Sequence, residues 1–218
     1  MEARTGDLSV LSVIRSGGVA LIAGGVLLIL YIILQVVAGS PADPENVVKT
    51  TFSLAFHVRV AGVLFMLLGL VGLFVRHIGW IGWFGMTAFV FAFAGTAMFG
   101  GEAHLAATAF PFIAENDAAL FESFLRSPTG AVLGIAGMLL LLVGYIMLGI
   151  VLFRVALSPR WSAVMLPAGW LILVGAPPGQ LLTRLAGAIL VGAGLIAQGW
   201  ALWSSQEESV WQAAADSP

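Results

Sequence analysis

The chain of 218 residues is 60% hydrophobic and only 9% charged, whereas a soluble domain carries about 25% charged residues, so the composition excludes an ordinary water-soluble protein. A chain this apolar indicates an integral membrane protein whose solvent is the lipid bilayer. Its net charge of −2 and its lack of cysteine leave no basic face for nucleic acid, and they exclude disulfides, cysteine-ligated clusters and thiol catalysis.

Six apolar stretches follow one another along the chain. They cover, approximately, residues 17–37, 54–75, 78–100, 130–153, 161–176 and 182–203. A membrane-spanning helix needs about 20 residues, so the fifth stretch, which Pro177 and Pro178 end, is short and either crosses with little tilt or re-enters. The pattern predicts an all-α integral membrane bundle of about six transmembrane helices.

The predicted organisation is one transmembrane domain with polar ends. Residues 1–16 form a cytoplasmic N-terminal segment, residues 17–203 form the helical domain, and residues 204–218 form a polar tail. With the N-terminus inside, the cytoplasmic side receives Arg4, Arg15, Arg76, Arg154 and Arg160. The positive-inside rule favours this orientation, and we expect the protein in a bacterial cytoplasmic (inner) membrane.

The longest connection between spans is an outer loop, residues 101–129. Within it, Asp117 is placed to cap a short helix whose apolar face carries Leu120, Phe121 and Phe124 at helical spacing. We expect this amphipathic helix to lie on the outer membrane surface or to fold over the bundle.

Two polar residues, His57 and Arg59, lie within the second predicted span. The apolar run that follows them, residues 60–75, is about 24 Å long at 1.5 Å per residue, which is less than the roughly 30 Å of the hydrocarbon core. The span must therefore include Arg59 and reach His57. Three roles are open for Arg59: snorkelling to the interface, an ion pair with Glu102, or contact with an anion or substrate.

A candidate ligand cluster follows from the position of the next span. That span ends on the side where the second begins, so Glu102 and His104 should approach His57. His57, Glu102 and His104 are ligand types for zinc, iron or copper, and two histidines could also bind a haem. The alternatives are a hydrogen-bonded polar cap under the outer loop, a proton relay or a substrate contact. Arg59 lies about 200° around the helix from His57 and so does not share its face.

Other polar residues in the apolar runs are few. For Tyr145, Thr183 and Gln198 we expect hydrogen bonds between helices, and for His77, at the end of the second span, a place at the membrane interface. The sequence contains no phosphate-binding loop, no H-E-x-x-H motif and no G-x-S-x-G motif. No nucleophile–base pair can be assembled from it, which disfavours an enzyme.

Several segments resemble a family of small bacterial polytopic membrane proteins of the DUF4386-like kind. The matching segments are RSGGVALIAGGVLLIL, PADPENV, FHVRVAGVLFMLLGLVGLFVRH, SPRWSAVMLPAGWLILVGAPP and GAILVGAGLIAQGWALW. The resemblance covers most of the chain. It implies an α-helical bundle in a bacterial inner membrane, and it implies no particular activity.

The scarcity of polar residues within the spans favours a protein without catalytic machinery. Small residues on the predicted helix faces, such as Ala88 with Ala92 and Gly192 with Gly194, suit helix packing. We therefore expect an accessory or scaffold subunit of a membrane assembly, with a membrane-protein partner or a second copy of itself. The alternatives are a protein that binds a ligand, haem or metal at the outer His/Glu cluster, and a small transporter.

Overall fold

The computed structural model describes residues 10–41, 43–79, 82–155, 159–177 and 180–204. Most of the predicted N-terminal segment and nearly all of the C-terminal tail lie outside these residues. The described helices are α1 (Val10–Ala38), α2 (Pro44–Val47), α3 (Thr50–His77), α4 (Gly82–Asn116), α5 (Ala118–Leu125), α6 (Pro128–Val155), α7 (Arg160–Gly175) and α8 (Leu181–Trp203). Within these ranges every regular element is helical, which confirms the predicted all-α bundle.

Five of these helices are long and apolar enough to cross a membrane: α1, α3, α4, α6 and α8. The sixth predicted span corresponds to α7, which has 16 residues and is therefore about 24 Å long. α7 falls short of the roughly 30 Å hydrocarbon core, although it is apolar and packs between α6 and α8. The described residues thus contain five candidate spans and one short apolar helix, as in a multi-pass membrane protein.

The six longer helices form a closed ring. Each packs against the next in the order α1, α3, α4, α6, α7 and α8, and α8 packs back against α1. Neighbours run antiparallel: Gly17 of α1 approaches Gly72 of α3, while Gly62 approaches Leu27. The ring therefore alternates in direction, as short connections between successive helices require.

Glycine sets the spacing within the ring. A Cβ atom on Gly17 would lie 2.6 Å from the Gly72 Cα, and one on Gly25 would lie 2.7 Å from the Gly192 carbonyl oxygen. These approaches are too close for any larger residue, so backbone packs directly against backbone. This is the small-residue packing that stabilises helix association in lipid, where burying apolar side chains gives little driving force.

The predicted outer loop is mostly helix. α4 continues without interruption through residues 101–116 and includes Pro111, and α6 begins at Pro128. With 35 residues, α4 is about 52 Å long, so it extends well beyond a single membrane crossing. Residues 101–116 of the predicted outer loop are therefore helical, and they continue the bundle because Ala103, Ala106 and Ala107 are buried.

The predicted short helix within this region is confirmed as α5. The Asp117 side chain caps it by accepting a hydrogen bond from the Leu120 backbone N–H at 2.9 Å. Phe121 is fully buried and meets Phe110 of α4 edge-on, with ring centroids 5.6 Å apart. Leu120 and Phe124 stay more exposed. We refer to the end of the ring that carries α2 and α5 as the α5 end.

Candidate functional site

Arg59 is a buried cation near the α5 end of the ring. Only 4% of the residue is exposed. Its Nη2 donates hydrogen bonds to Glu102 Oε2 at 2.8 Å and to the Phe99 carbonyl oxygen at 2.9 Å, and its Nη1 donates to Tyr31 Oη at 3.4 Å. These bonds join α3 to α1 and α4. Of the three roles open for Arg59, the ion pair with Glu102 is therefore formed.

Aromatic rings surround the guanidinium group. Its Cζ atom lies 3.5 Å from the centroid of the Phe99 ring, 5.4 Å from that of Tyr31 and 5.7 Å from that of Phe56. A cation over an aromatic face is stabilised by the ring quadrupole, and more so where water is excluded. The rings therefore replace part of the hydration that Arg59 would have in water. Burial in this cage also means that Arg59 does not snorkel.

The two partners of the ion pair differ greatly in exposure. The Arg59 side chain is 5% exposed, whereas the Glu102 side chain is 64% exposed. Removing one partner of a pair leaves the other uncompensated, which is most costly for the buried member. Among the described residues, Arg59 Nε is a buried donor without a hydrogen-bond partner. Glu102 is thus the exposed counter-charge of a buried cation. The described residues around that cation leave one of its donors, Arg59 Nε, without a hydrogen bond.

The aromatic cage continues into the centre of the ring. Phe99 meets Trp170 of α7 edge-on, with centroids 5.3 Å apart, and Trp170 lies 5.4 Å from Tyr145 of α6. The Tyr145 hydroxyl lies 3.3 Å from Thr96 Oγ1 of α4. This cluster connects five helices of the ring. Tyr145 therefore makes the predicted contact between helices, whereas sequence reasoning missed Trp170.

His57 lies on the exposed side of α3, away from Arg59, as the 200° separation predicts. Its Nδ1 lies 2.7 Å from the Ser53 carbonyl oxygen and 3.3 Å from Ser53 Oγ. His104 is also exposed. These contacts of His57 are local to α3, so Arg59 rather than His57 is the centre of the polar site.

The predicted metal ligands do not come together. Across the described residues, no group of three or more His, Asp or Glu side chains is arranged to hold a metal ion. The physical reason is that Glu102 turns towards Arg59, while His57 bonds within its own helix. The set of His57, Glu102 and His104 therefore needs correction: only Glu102 belongs to the site, as the partner of Arg59.

A second polar contact joins α7 and α8. Gln198 Nε2 donates to Ser162 Oγ at 2.9 Å, and Ser162 Oγ donates to the Pro159 carbonyl oxygen at 2.6 Å. This is the hydrogen bond between helices predicted for Gln198. Thr183, by contrast, bonds locally to Gln180 Oε1 at 3.2 Å. The hydrogen bond to another helix that we expected for Thr183 is therefore not observed among the described residues.

His77, the last residue of α3, is buried among its neighbours, which sequence reasoning did not predict. It is 3% exposed, and it lines a small cavity between α3, α4 and α6. Its Nδ1 lies 2.7 Å from the Leu73 carbonyl oxygen, and its Nε2 is buried with no partner among the described residues. The sequence contains only one indication of its environment, namely that His77 lies in the last turn of a long apolar helix.

Comparison of the chain with protein-family models, with curated proteins and with solved structures found no match.

Proposed function

We propose that this chain is a non-catalytic subunit of a membrane assembly, in a bacterial inner membrane with its N-terminus in the cytoplasm, and that it belongs to the DUF4386-like family it resembles. Two features support the scaffold role. Two pairs of polar side chains inside the ring bind each other, Arg59 with Glu102 and Gln198 with Ser162. The ring is also tightly packed through glycine contacts, which suits a rigid scaffold.

One observation carries the proposal of a partner. The first two turns of α6, residues 128–135, are exposed on every face, although Val132, Leu133 and Ile135 are apolar. Within them Gly130 and Gly134 have the G-x-x-x-G spacing that brings membrane helices together. A Cβ on Gly134 would meet nothing within 4 Å, unlike the glycines at the ring interfaces. A transmembrane helix of a partner subunit would complete this surface.

Photocrosslinking in native membranes tests this proposal. The crosslinking residue p-benzoylphenylalanine is placed at Leu133 of α6 or at Leu64 of α3, which are equally exposed at 58%. We expect protein adducts from position 133 and only lipid adducts from position 64. Replacing Gly134 with Leu should abolish the adducts from position 133, because a bulky side chain prevents close helix approach. Lipid adducts alone from both positions would contradict the proposal.

Ligand binding at the Arg59–Glu102 pair is a second candidate. The buried Arg59 guanidinium favours an anionic ligand, and because its partner Glu102 is exposed, a phosphate or carboxylate can displace Glu102 from the pair. Titration with dihexanoyl-phosphatidylglycerol should then show saturable binding that Arg59→Gln removes. Equal binding by both proteins would exclude this role.

A further inference from the structure

A small cavity lies between α3, α4 and α6, at the end of the ring opposite α5. His77, Leu73 and Phe74 of α3 line it, together with Phe89 of α4 and Leu148 of α6. Its volume is about 10 Å³, which is room for one water-sized group. Apart from the imidazole of His77, the side chains that line it are apolar.

The hydrogen bonding of His77 defines what this cavity offers. The Leu73 carbonyl oxygen only accepts, so His77 Nδ1 carries the proton and donates to it at 2.7 Å. Nε2 of the neutral ring is then a hydrogen-bond acceptor, and it is buried without a partner among the described residues. A charged ring would instead leave an N–H donor unpaired in apolar surroundings, which is costly. The imidazole that lines this otherwise apolar cavity therefore carries one buried acceptor without a partner among the described residues.

This chemistry narrows the class of occupant. A buried water molecule needs two to four polar partners, and the side chains of this lining supply one. A zinc ion needs about four ligands. A hydroxyl group on an otherwise apolar molecule fits this lining. It donates one hydrogen bond to Nε2, and the rest of the molecule has no polar atom that needs a partner.

The surrounding rings favour an aromatic body. Phe74 and Phe89 are only partly buried, and their rings lie 4.4 Å apart with planes inclined by 30°. A third ring can pack beside such a pair in an offset or edge-on arrangement. The cavity has room only for the hydroxyl group, so the aromatic ring of the ligand must lie outside it, between these phenylalanines and the bilayer. An apolar molecule can reach this position from the bilayer.

We propose that this cavity is a binding site for a phenolic molecule that enters from the bilayer, donates its hydroxyl hydrogen bond to His77 Nε2 and packs its ring beside Phe74 and Phe89. The proposal does not depend on a partner at α6 or on a ligand at Arg59, because those sites lie in the other half of the ring.

Nitrogen NMR of the full chain in nanodiscs tests this site. The protein has three histidines, so labelling histidine alone gives few resonances, and His77→Phe assigns that of His77. The probe is 4-propylphenol, and 4-propylanisole, which lacks the hydroxyl donor, is the matched control. We expect the His77 Nε2 resonance to shift saturably with the phenol, with at least a tenfold weaker effect of the anisole, and no shift for His57 or His104.

Variants give a second readout by equilibrium dialysis of the same probe. His77→Phe should weaken binding of 4-propylphenol at least tenfold, whereas His57→Phe, which changes an exposed histidine, should leave binding unchanged. Equal NMR shifts with the phenol and the anisole, or no shift with either, would overturn the proposal. His57→Phe and His104→Phe, which change exposed histidines, assign the other two resonances, so the NMR comparison on the unmodified protein decides the question even if His77→Phe does not fold.

Discussion

Ser53 Oγ donates a hydrogen bond to the Ala107 carbonyl oxygen at 3.0 Å, across the contact between α3 and α4. This carbonyl would accept from the backbone N–H of residue 111 in a regular helix. Residue 111 is Pro111, which has no N–H. Ser53 therefore supplies a donor in place of the one that the proline lacks, within the part of α4 where a loop was expected.

A double-mutant cycle tests this relationship. We expect Ser53→Ala to lower the free energy of unfolding by about 1 kcal/mol, because a partly buried acceptor loses its donor. In the Pro111→Ala background the same change should cost much less, since alanine at that position provides the missing N–H. The measurement is unfolding by SDS titration in mixed micelles. Ser123→Ala, which removes only a local bond to the Leu120 carbonyl oxygen, is the control, and equal costs in both backgrounds would contradict the account.

The ion pair between Arg59 and Glu102 makes a second prediction. Glu102→Gln should lower the free energy of unfolding by about 1–3 kcal/mol, because the Gln amide oxygen can still accept a hydrogen bond but Arg59 stays buried without its counter-charge. Glu122→Gln is the matched control. Glu122 pairs with Arg126 at 3.5 Å with both side chains exposed, and such surface pairs contribute about 0–1 kcal/mol. A cost for Glu102→Gln no larger than that of the control would show that the cage alone holds Arg59.

The glycine contacts make a third prediction. Gly17→Ala should destabilise the bundle by about 1–3 kcal/mol, the usual effect of overpacking, because its Cβ would lie 2.6 Å from the Gly72 Cα. Gly101→Ala is the control, since a Cβ there meets nothing within 4 Å, and Ala is favoured over Gly in a helix by about 1 kcal/mol. SDS titration should therefore give opposite signs for the two variants. Destabilisation of similar size in both would argue against backbone contact as the cause.

Single-cysteine labelling tests the topology, and the natural chain has no cysteine to interfere. Arg126 and Arg160 lie just beyond opposite ends of α6, so they should lie on opposite sides of the membrane. We expect an impermeant maleimide to label Arg126→Cys in intact cells, and to label Arg160→Cys only after permeabilisation. The reverse pattern would invert the proposed orientation.

Gln180→Cys extends this measurement to α7. Gln180 follows α7, whose first residue is Arg160. If this short helix crosses the membrane, Gln180→Cys should label like Arg126→Cys, from outside intact cells. Labelling only after permeabilisation would show that α7 re-enters on the side where it began.

Local chemistry and composition predicted much of this structure. The apolar runs predicted the long helices, and the Asp117 cap predicted α5, because each depends on neighbouring residues alone. The ion pair of Arg59 with Glu102 was one of three open roles. It was predicted because the second predicted span begins on the side of the membrane where the third ends, which brings the two residues to a similar depth. Continuation of α4 through Pro111 was not predictable, since the carbonyl that the proline leaves without a donor accepts from Ser53, which lies 54 residues before it.

The buried state of His77 was not predictable for a related reason. Whether the last turn of a helix faces lipid, water or a neighbour depends on where other helices end. The same holds for Trp170, which becomes central only because α4 and α6 bring Phe99 and Tyr145 to it. The pairing of helices around a ring is a long-range property, and apolar sequences of similar composition specify it weakly.

The closed ring has a consequence for biosynthesis. One interface of the ring joins α1 to α8 through approaches such as Gly25 to Gly192, so α1 meets this second neighbour only after α8, which follows it by more than 140 residues, has been made. Until then lipid must cover the glycine-lined groove of α1. This lipid is therefore released in the same step in which α8 packs against α1 and completes the bundle. A chain truncated before α8 could not take this step.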